Sequence, residues 1–257
     1  GAQRPACSVT AALAEHAGRW APRPLLELAA GDGALTAALL GLGRPLTAIE
    51  LDPRRVQRLR HRFGAGVRVR HGDLTAEPLD RPVDVVSNVP FGLTTPLLRR
   101  LLRAPRWAHA LLLLQWEVAR KRAAVGGTTL LTAQCWPWFE FVLHERVPAR
   151  AFRPVPSVDG GVLEIVRREA PLVPGAERAG YQRLVGEVFT GRGRGVIDVV
   201  ARRLGRPLAR RWATELGLTG STPARDLDVA AWVRLHELGA RRPGDGRPGG
   251  PHRRPRR

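Results

Sequence analysis

Up to about residue 168, short apolar runs alternate along the chain with segments of helical spacing; beyond it only the helical spacing persists. Leu25, Leu26, Leu28 and Ala29 read as a buried strand over 25–29, followed by a glycine-rich turn and a helix over 34–42. A second strand is expected over 46–51. Pro53 then opens a helix to residue 63, because its missing N–H would find no partner in a first helical turn. Further strands are expected over 67–70, 83–87 and 110–114, with helices over 97–102 and 117–124 and late strands over 139–147 and 162–166. Strands alternating with helices predict an α/β fold, a Rossmann-like doubly wound sheet. Segments 181–189, 196–204 and 227–238 carry apolar residues at helical spacing with arginine on their other faces, which predicts a small all-helical C-terminal domain. The expected organisation is therefore a catalytic domain over 1–168, a helical domain over 169–240 and a tail over 241–257. That tail holds seven Arg, four Pro and four Gly, a composition that cannot bury a core and is expected to be disordered.

Charge sharpens this picture. The 257 residues include 42 basic and 23 acidic side chains, a net charge of +19. Without the seven basic and one acidic residue of the tail, the rest still carries +13. A folded protein this basic is expected to meet a polyanion. All but one of the basic residues are arginine, Lys121 being the exception, which together with abundant Ala, Gly and Pro fits a GC-rich genome. Cys7 and Cys135 are the only cysteines; they build neither a disulfide framework nor a metal site, so a reducing cytoplasm is the expected location. No apolar run reaches the length of a membrane span, no signal peptide is expected, and monomer is the default. There is no methionine, not even at position 1, and further residues are expected upstream.

Three junctions carry candidate chemistry. The turn from Glu27 to Thr36 contains Ala29, Gly31 and Gly33, and glycines there let backbone approach a ligand. Glu50, 17 residues beyond Gly33 at the end of the second strand, can accept hydrogen bonds from both ribose hydroxyls. These two features leave NAD and S-adenosylmethionine undistinguished. After the third strand, Asp73 can accept from an adenine amine and the Leu74 N–H can donate to the ring. Taken alone, that Gly-Asp pair reads better as a turn aspartate. The fourth strand ends in Ser87-Asn88-Val89-Pro90-Phe91-Gly92. Asn88 offers a side-chain carbonyl and Val89 a backbone carbonyl, Pro90 stiffens the turn and Phe91 presents a ring face. Two acceptors beside a stacking platform suit the exocyclic amine of a flat base, gripping its N–H bonds so that the nitrogen lone pair aims at an electrophile.

Asn88-Val89-Pro90-Phe91, with the glycine-rich turn, Ile49-Glu50-Leu51-Asp52 and Gly72-Asp73-Leu74, resembles the ribosomal RNA adenine N6-methyltransferases. More narrowly it resembles the Erm methyltransferases, which confer macrolide, lincosamide and streptogramin B resistance by methylating 23S ribosomal RNA. Supporting segments are 93–96, 115–121, 136–141, 152–159 and 189–194, in family order. The resemblance implies S-adenosylmethionine held by Ala29, Gly31 and Gly33, its ribose at Glu50 and Leu51, its adenine at Asp73 and Leu74. It places Asn88, beside the cofactor, with Val89 and Pro90 at the target amine and Phe91 stacked on the target adenine. No metal is implied. Two departures stand out: the family usually has glycine where Ala29 stands, and its N-terminal Gln-Asn-Phe segment is expected just upstream of Gly1. Arg120, Lys121 and Arg122, with Arg192 and Arg194, are the expected contacts to RNA phosphates, and Trp136 and Trp138 read as a core pair in a strand-like segment. The rival readings are the sister family that dimethylates 16S ribosomal RNA, a non-catalytic RNA-binding module on the same fold, and a Rossmann-like dehydrogenase. The last leaves Asn88-Val89-Pro90-Phe91 and the charge unexplained.

Overall fold

The computed structural model describes residues 9–152 and 155–240. The expected disordered tail, Cys7 and the Arg153-Pro154 pair lie outside the described residues. Contact patterns divide the chain into two compact units between Gly175 and Ala176.

The first unit is built on a seven-stranded sheet. Its strands are β1 (Leu25–Leu28), β2 (Leu46–Glu50), β3 (Arg68–His71), β4 (Asp84–Asn88), β5 (His109–Gln115), β6 (Phe139–Val147) and β7 (Gly160–Arg167). They run in the order β3-β2-β1-β4-β5-β7-β6. The first five are parallel, whereas β7 lies antiparallel between β5 and β6. Central parallel strands are covered on both faces, and β1 and β5 accordingly read as near-continuous apolar runs. Helices α1 (Val9–Gly18), α2 (Ala34–Leu40), α3 (Pro53–Phe63), α4 (Thr94–Arg103), α5 (Trp116–Arg122) and α6 (Leu130–Cys135) complete the unit. Asp52 caps α3, its carboxylate accepting from the Arg54 N–H at 2.8 Å, and Pro53 stands in the first turn. The strand order reverses between β1 and β4, and the carboxyl ends flanking such a switch point form the crevice where open α/β sheets bind ligands.

The second unit is all helical: α7 (Arg178–Thr190), α8 (Val196–Leu204), α9 (Arg206–Leu216) and α10 (Val229–Ala240). It closes around Tyr181, Val200, Trp212, Trp232 and Leu235, all fully buried. The Trp212 indole N–H donates to the Ala231 carbonyl at 2.9 Å, tying α9 to α10.

Three helices go beyond the expected elements: α1, α6 and α9. The tryptophan pair is placed differently from expectation. Trp136 and Trp138 lie in the turn between α6 and β6, where Trp138 is buried; the apolar density that resembles a strand is a helix end running into a turn. Among the described residues, no helix is long and apolar enough to cross a membrane.

Candidate active site

One cavity, of about 490 Å³, opens at the carboxyl ends of β1, β2, β4 and β5. Ala29, Gly31, Glu50, Leu51, Asp73, Leu74, Asn88, Val89, Pro90 and Phe91 all line it, so residues spread over more than sixty positions converge on one space. Gly33 does not line it. Its φ is 81°, and a Cβ there would come within 2.7 Å of Leu59 and Phe63. Glycine at 33 is therefore needed for the close packing of the turn on α3, which indirectly sets the turn's position.

Glu50 anchors the floor. It is nearly buried, and each carboxylate oxygen takes one backbone donor: Gly31 N–H to Oε2 at 2.8 Å and Asp52 N–H to Oε1 at 2.9 Å. Each oxygen keeps a lone pair for a second donor, so a pair of neighbouring hydroxyls fits what remains. Leu51 is 60% exposed beside it, its carbonyl held by His71 Nε2 at 2.8 Å. Asp73 Oδ1 accepts from the Thr75 N–H at 2.7 Å, as a turn aspartate does, and the residue lines the cavity. Ile49, Leu51 and Leu74 supply apolar walls suited to a flat ring. A cavity of this size, with a half-satisfied carboxylate at one end and apolar walls at the other, fits a nucleoside cofactor.

At the mouth, Ser87 Oγ donates to the Leu28 carbonyl at 2.7 Å and clamps β4 to β1. The Val89 N–H donates to the Leu113 carbonyl at 3.1 Å. The Asn88 carboxamide and the Val89 carbonyl make no hydrogen bond within the described residues, so both acceptors stand available. The Pro90 carbonyl, by contrast, is taken by the Leu93 N–H at 2.8 Å. Phe91 is 43% exposed.

Phe152, Pro156 and Gly160 also line the cavity, as does Arg55, and none of these stands out as a site residue from local sequence. Phe152 and Pro156 do lie in the 152–159 segment that carries part of the resemblance. A Cβ at Gly160 would meet the Phe152 ring at 3.1 Å and Leu113 at 3.0 Å, so glycine makes room for that ring. Asp159 fastens the same segment, accepting from the Ala149 N–H at 2.8 Å and from Arg146 Nε at 2.7 Å. These bonds, the backbone one foremost, hold its carboxyl below the usual range.

Ala29 has φ of 58°, a left-handed conformation, next to Gly31 at the same φ. Beneath the turn, Glu27 is fully buried on β1, and neither carboxyl oxygen is in hydrogen-bond geometry with a described residue. Burial pushes its pKa up to about 8, the nearby Thr36 hydroxyl and N–H offsetting only part of the rise.

The basic residues expected at RNA are not equally available. Arg120 contacts Glu117 Oε2 and donates to the Val125 carbonyl, both at 3.3 Å. Arg122 is half-buried, donates to Thr129 Oγ1 at 2.8 Å, and has its pKa lowered mainly by that burial. Lys121 is exposed. In the second unit Arg192 is exposed, and Arg194, 93% exposed, stands 3.5 Å from Asp198.

The family model described as ribosomal RNA adenine dimethylase matches residues 13–240. The chain belongs to that family. It is thus an S-adenosylmethionine-dependent ribosomal RNA adenine N6-methyltransferase, and the Rossmann-like sheet with a helical second unit is the family's class I methyltransferase fold. Among curated relatives, mycinamicin-resistance protein MyrB of Micromonospora griseorubida is 51% identical over 227 residues, 88% of this chain and 73% of its own length. An rRNA adenine N-6-methyltransferase of Corynebacterium diphtheriae is 47% identical over 182 residues, 70% of this chain and 72% of its own. Among solved structures, 23S rRNA methyltransferase ErmE superposes with a TM-score of 0.84 at 32% identity, covering 94% of this chain and all of that one.

Proposed function

We propose that this methyltransferase modifies N6 of one adenine in 23S ribosomal RNA and thereby gives resistance to macrolides, lincosamides and streptogramin B. The observation that carries the catalytic part is the pair of available acceptors, Asn88 Oδ1 and the Val89 carbonyl, set beside Phe91 at the mouth of the Glu50 cavity. The 23S target and the resistance are supported by the likeness to MyrB and ErmE.

Ala29 and Gly31 hold the methionine end of S-adenosylmethionine, Glu50 its ribose, and Asp73 with the Leu74 N–H its adenine, with Leu51 closing over it. When bound, the cofactor supplies an electrophilic methyl group. The chain's own residues prepare the nucleophile. Phe91 stacks on the target base, with Phe152 as a second ring on the same cavity. Asn88 and Val89 accept the two N6–H bonds and turn the lone pair away from the ring, and Pro90 keeps the two acceptors in register. The base reaches them only when unstacked from its helix. No strong base is required, because the amine becomes acidic as its bond to the methyl group forms, and its proton then leaves to bulk solvent. Lys121, Arg192 and Arg194, with the more engaged Arg120 and Arg122, hold RNA phosphates, and residues 176–240 act as an RNA-binding domain. The enzyme works in the cytoplasm as a monomer.

Methyl transfer from labelled S-adenosylmethionine to protein-free 23S and 16S ribosomal RNA, side by side, tests this reading. Label is expected in 23S RNA alone, at one adenine, and lost by about 100-fold or more with Asn88→Ala, the cost of misplacing a reacting group. Label in 16S RNA would replace the target; RNA binding without label would leave only a binding module.

A further inference from the structure

The helix that follows Glu50 carries a charge pattern that its own fold does not use. α3 holds five arginines and a histidine in eleven residues, and only Val56 and Leu59 are fully buried. Arg60 is engaged structurally, donating to the Val69 carbonyl at 3.3 Å. Arg54, Arg58 and Arg62 are different. They recur at four-residue spacing, so they stand in one exposed stripe, each about 6 Å further along the axis than the last, with His61 beside them.

Like charges at this spacing repel along a helix, and among the described residues only two exposed carboxylates, Asp32 and the capping Asp52, answer the arginines of α3. Asp32 Oδ1 lies 3.2 Å from Arg58 and 3.4 Å from Arg55, while Arg62 donates to the Asp32 carbonyl at 3.0 Å and lies over the Phe63 ring, 4.9 Å from its centroid. The Arg54 guanidinium has no partner among the described residues. Beside Arg58 and Arg62 lies a second concavity of about 640 Å³, lined also by Gly31, Asp32, Gln57, Leu59 and His61. It shares Gly31 with the Glu50 cavity, which Arg55 also lines. A row of under-compensated guanidiniums, evenly spaced and continuous with the site, matches a polyanion whose charges recur at a similar interval. Guanidinium groups also bind phosphate oxygens in a bidentate way that a plain positive surface does not require.

We propose that the Arg54–Arg58–Arg62 stripe of α3 binds successive phosphates of the ribosomal RNA strand leading to the target adenine. It is a contact surface on the cofactor side of the site, additional to the arginines of α5. The proposal rests on the reading of the chain as a 23S ribosomal RNA methyltransferase.

The test is equilibrium binding of the full chain to a protein-free 23S RNA fragment across a salt series. Four proteins are compared: wild type, Arg54→Gln/Arg58→Gln/Arg62→Gln, Arg54→Gln alone, and a charge-matched control, Arg23→Gln/Arg81→Gln/Arg106→Gln. The control residues lie in the loops before β1, β4 and β5, at the opposite ends of the strands. Each phosphate contact contributes about 0.7–0.9 to the slope of log affinity against log salt, so the triple variant should be shallower by about 2 to 3 and Arg54→Gln by about one contact's worth. The control should keep the wild-type slope. Arg58 and Arg62 touch the glycine-rich turn, so cofactor affinity and melting temperature are measured on the same samples. If the triple variant loses either, Arg54→Gln, which touches nothing in the turn, decides. A wild-type slope in the deciding variant, or an equal change in the control, overturns the proposal and makes the stripe a solvated face. Methyl transfer by the wild type in the same series separates the two ideas: transfer to 23S RNA with no stripe effect sinks the stripe alone, whereas no transfer sinks the functional reading itself.

Discussion

Ala29 holds a conformation that its side chain makes costly. At φ of 58° its Cβ crowds the following carbonyl, a conformation that costs an L-residue about 1–2 kcal/mol. Glycine would relieve that strain while loosening the unfolded chain, so Ala29→Gly is expected to stabilise the fold by about 1 kcal/mol net. It should also lower KM for S-adenosylmethionine; thermal unfolding and steady-state kinetics read the two effects. Glu27 gives a second prediction at this scale. Its carboxyl keeps its proton in the folded state up to about pH 8, whereas the unfolded chain loses it near 4.5. The folded state therefore binds more protons in that window, and stability falls as pH rises from about 4.5 to 8, by about 5 kcal/mol in total for a shift of this size. Glu27→Gln should flatten that slope and be the more stable protein at pH 8, as denaturant unfolding at several pH values would show. An unchanged slope would mean that Glu27 is solvated or paired. Nothing in the residue type announced this: Glu27 reads as one polar position within a strand, and only its neighbours on both faces make it a buried acid.

At the scale of elements, the longest apolar patterns were the most legible. The strands over 25–28, 46–50 and 109–115 and the helix over 53–63 were readable because runs of leucine, isoleucine and valine with a proline start leave little choice. Helices α1, α6 and α9 were not, because alanine, threonine and cysteine supply most of their buried faces, with one large residue at most (Leu13 or Trp212), and a contact of that kind is decided by what lies opposite. Another element-level feature invisible in sequence is the buried pair of Arg44 and Asp84. Arg44 donates to the Arg23 carbonyl at 2.6 Å and the Ala17 carbonyl at 3.1 Å while pairing with the fully buried Asp84. It thereby joins the end of α1 to the starts of β1 and β4. Asp84→Ala strands that guanidinium and is expected to cost about 3–5 kcal/mol, measured by denaturant unfolding. Gly33→Ala tests the packing of the turn on α3. Its positive φ and the 2.7 Å approach to Leu59 and Phe63 predict a loss of about 1–3 kcal/mol together with a higher KM for S-adenosylmethionine. A loss of stability without a change in KM would show that α3 does not set the turn.

For the whole molecule the governing quantity is charge. A protein carrying +19 and neutralising about five phosphates should lose about 100- to 500-fold in RNA affinity between 50 and 200 mM salt, whereas a flat salt response would mean that its basic surface faces no RNA. Composition and motif order alone were enough for the class of fold, the polyanion partner, the family resemblance and the residues at the strand ends. These are properties of residue type and local spacing: apolar runs must be buried, glycine permits turns, and charge does not depend on shape. The tertiary structure alone decided which of the basic residues are free. It turned Arg120 and Arg122 toward Glu117, Val125 and Thr129 and left Arg54 exposed on α3 with no such partner. It also brought Phe152, Pro156 and Arg55 to a cavity whose other walls are distant in sequence, and enclosed the Glu27 carboxyl with only the Thr36 hydroxyl and N–H nearby to offset its burial. Each of these depends on which side chains meet across strands far apart in the chain, and the physics of a single segment does not contain its neighbours.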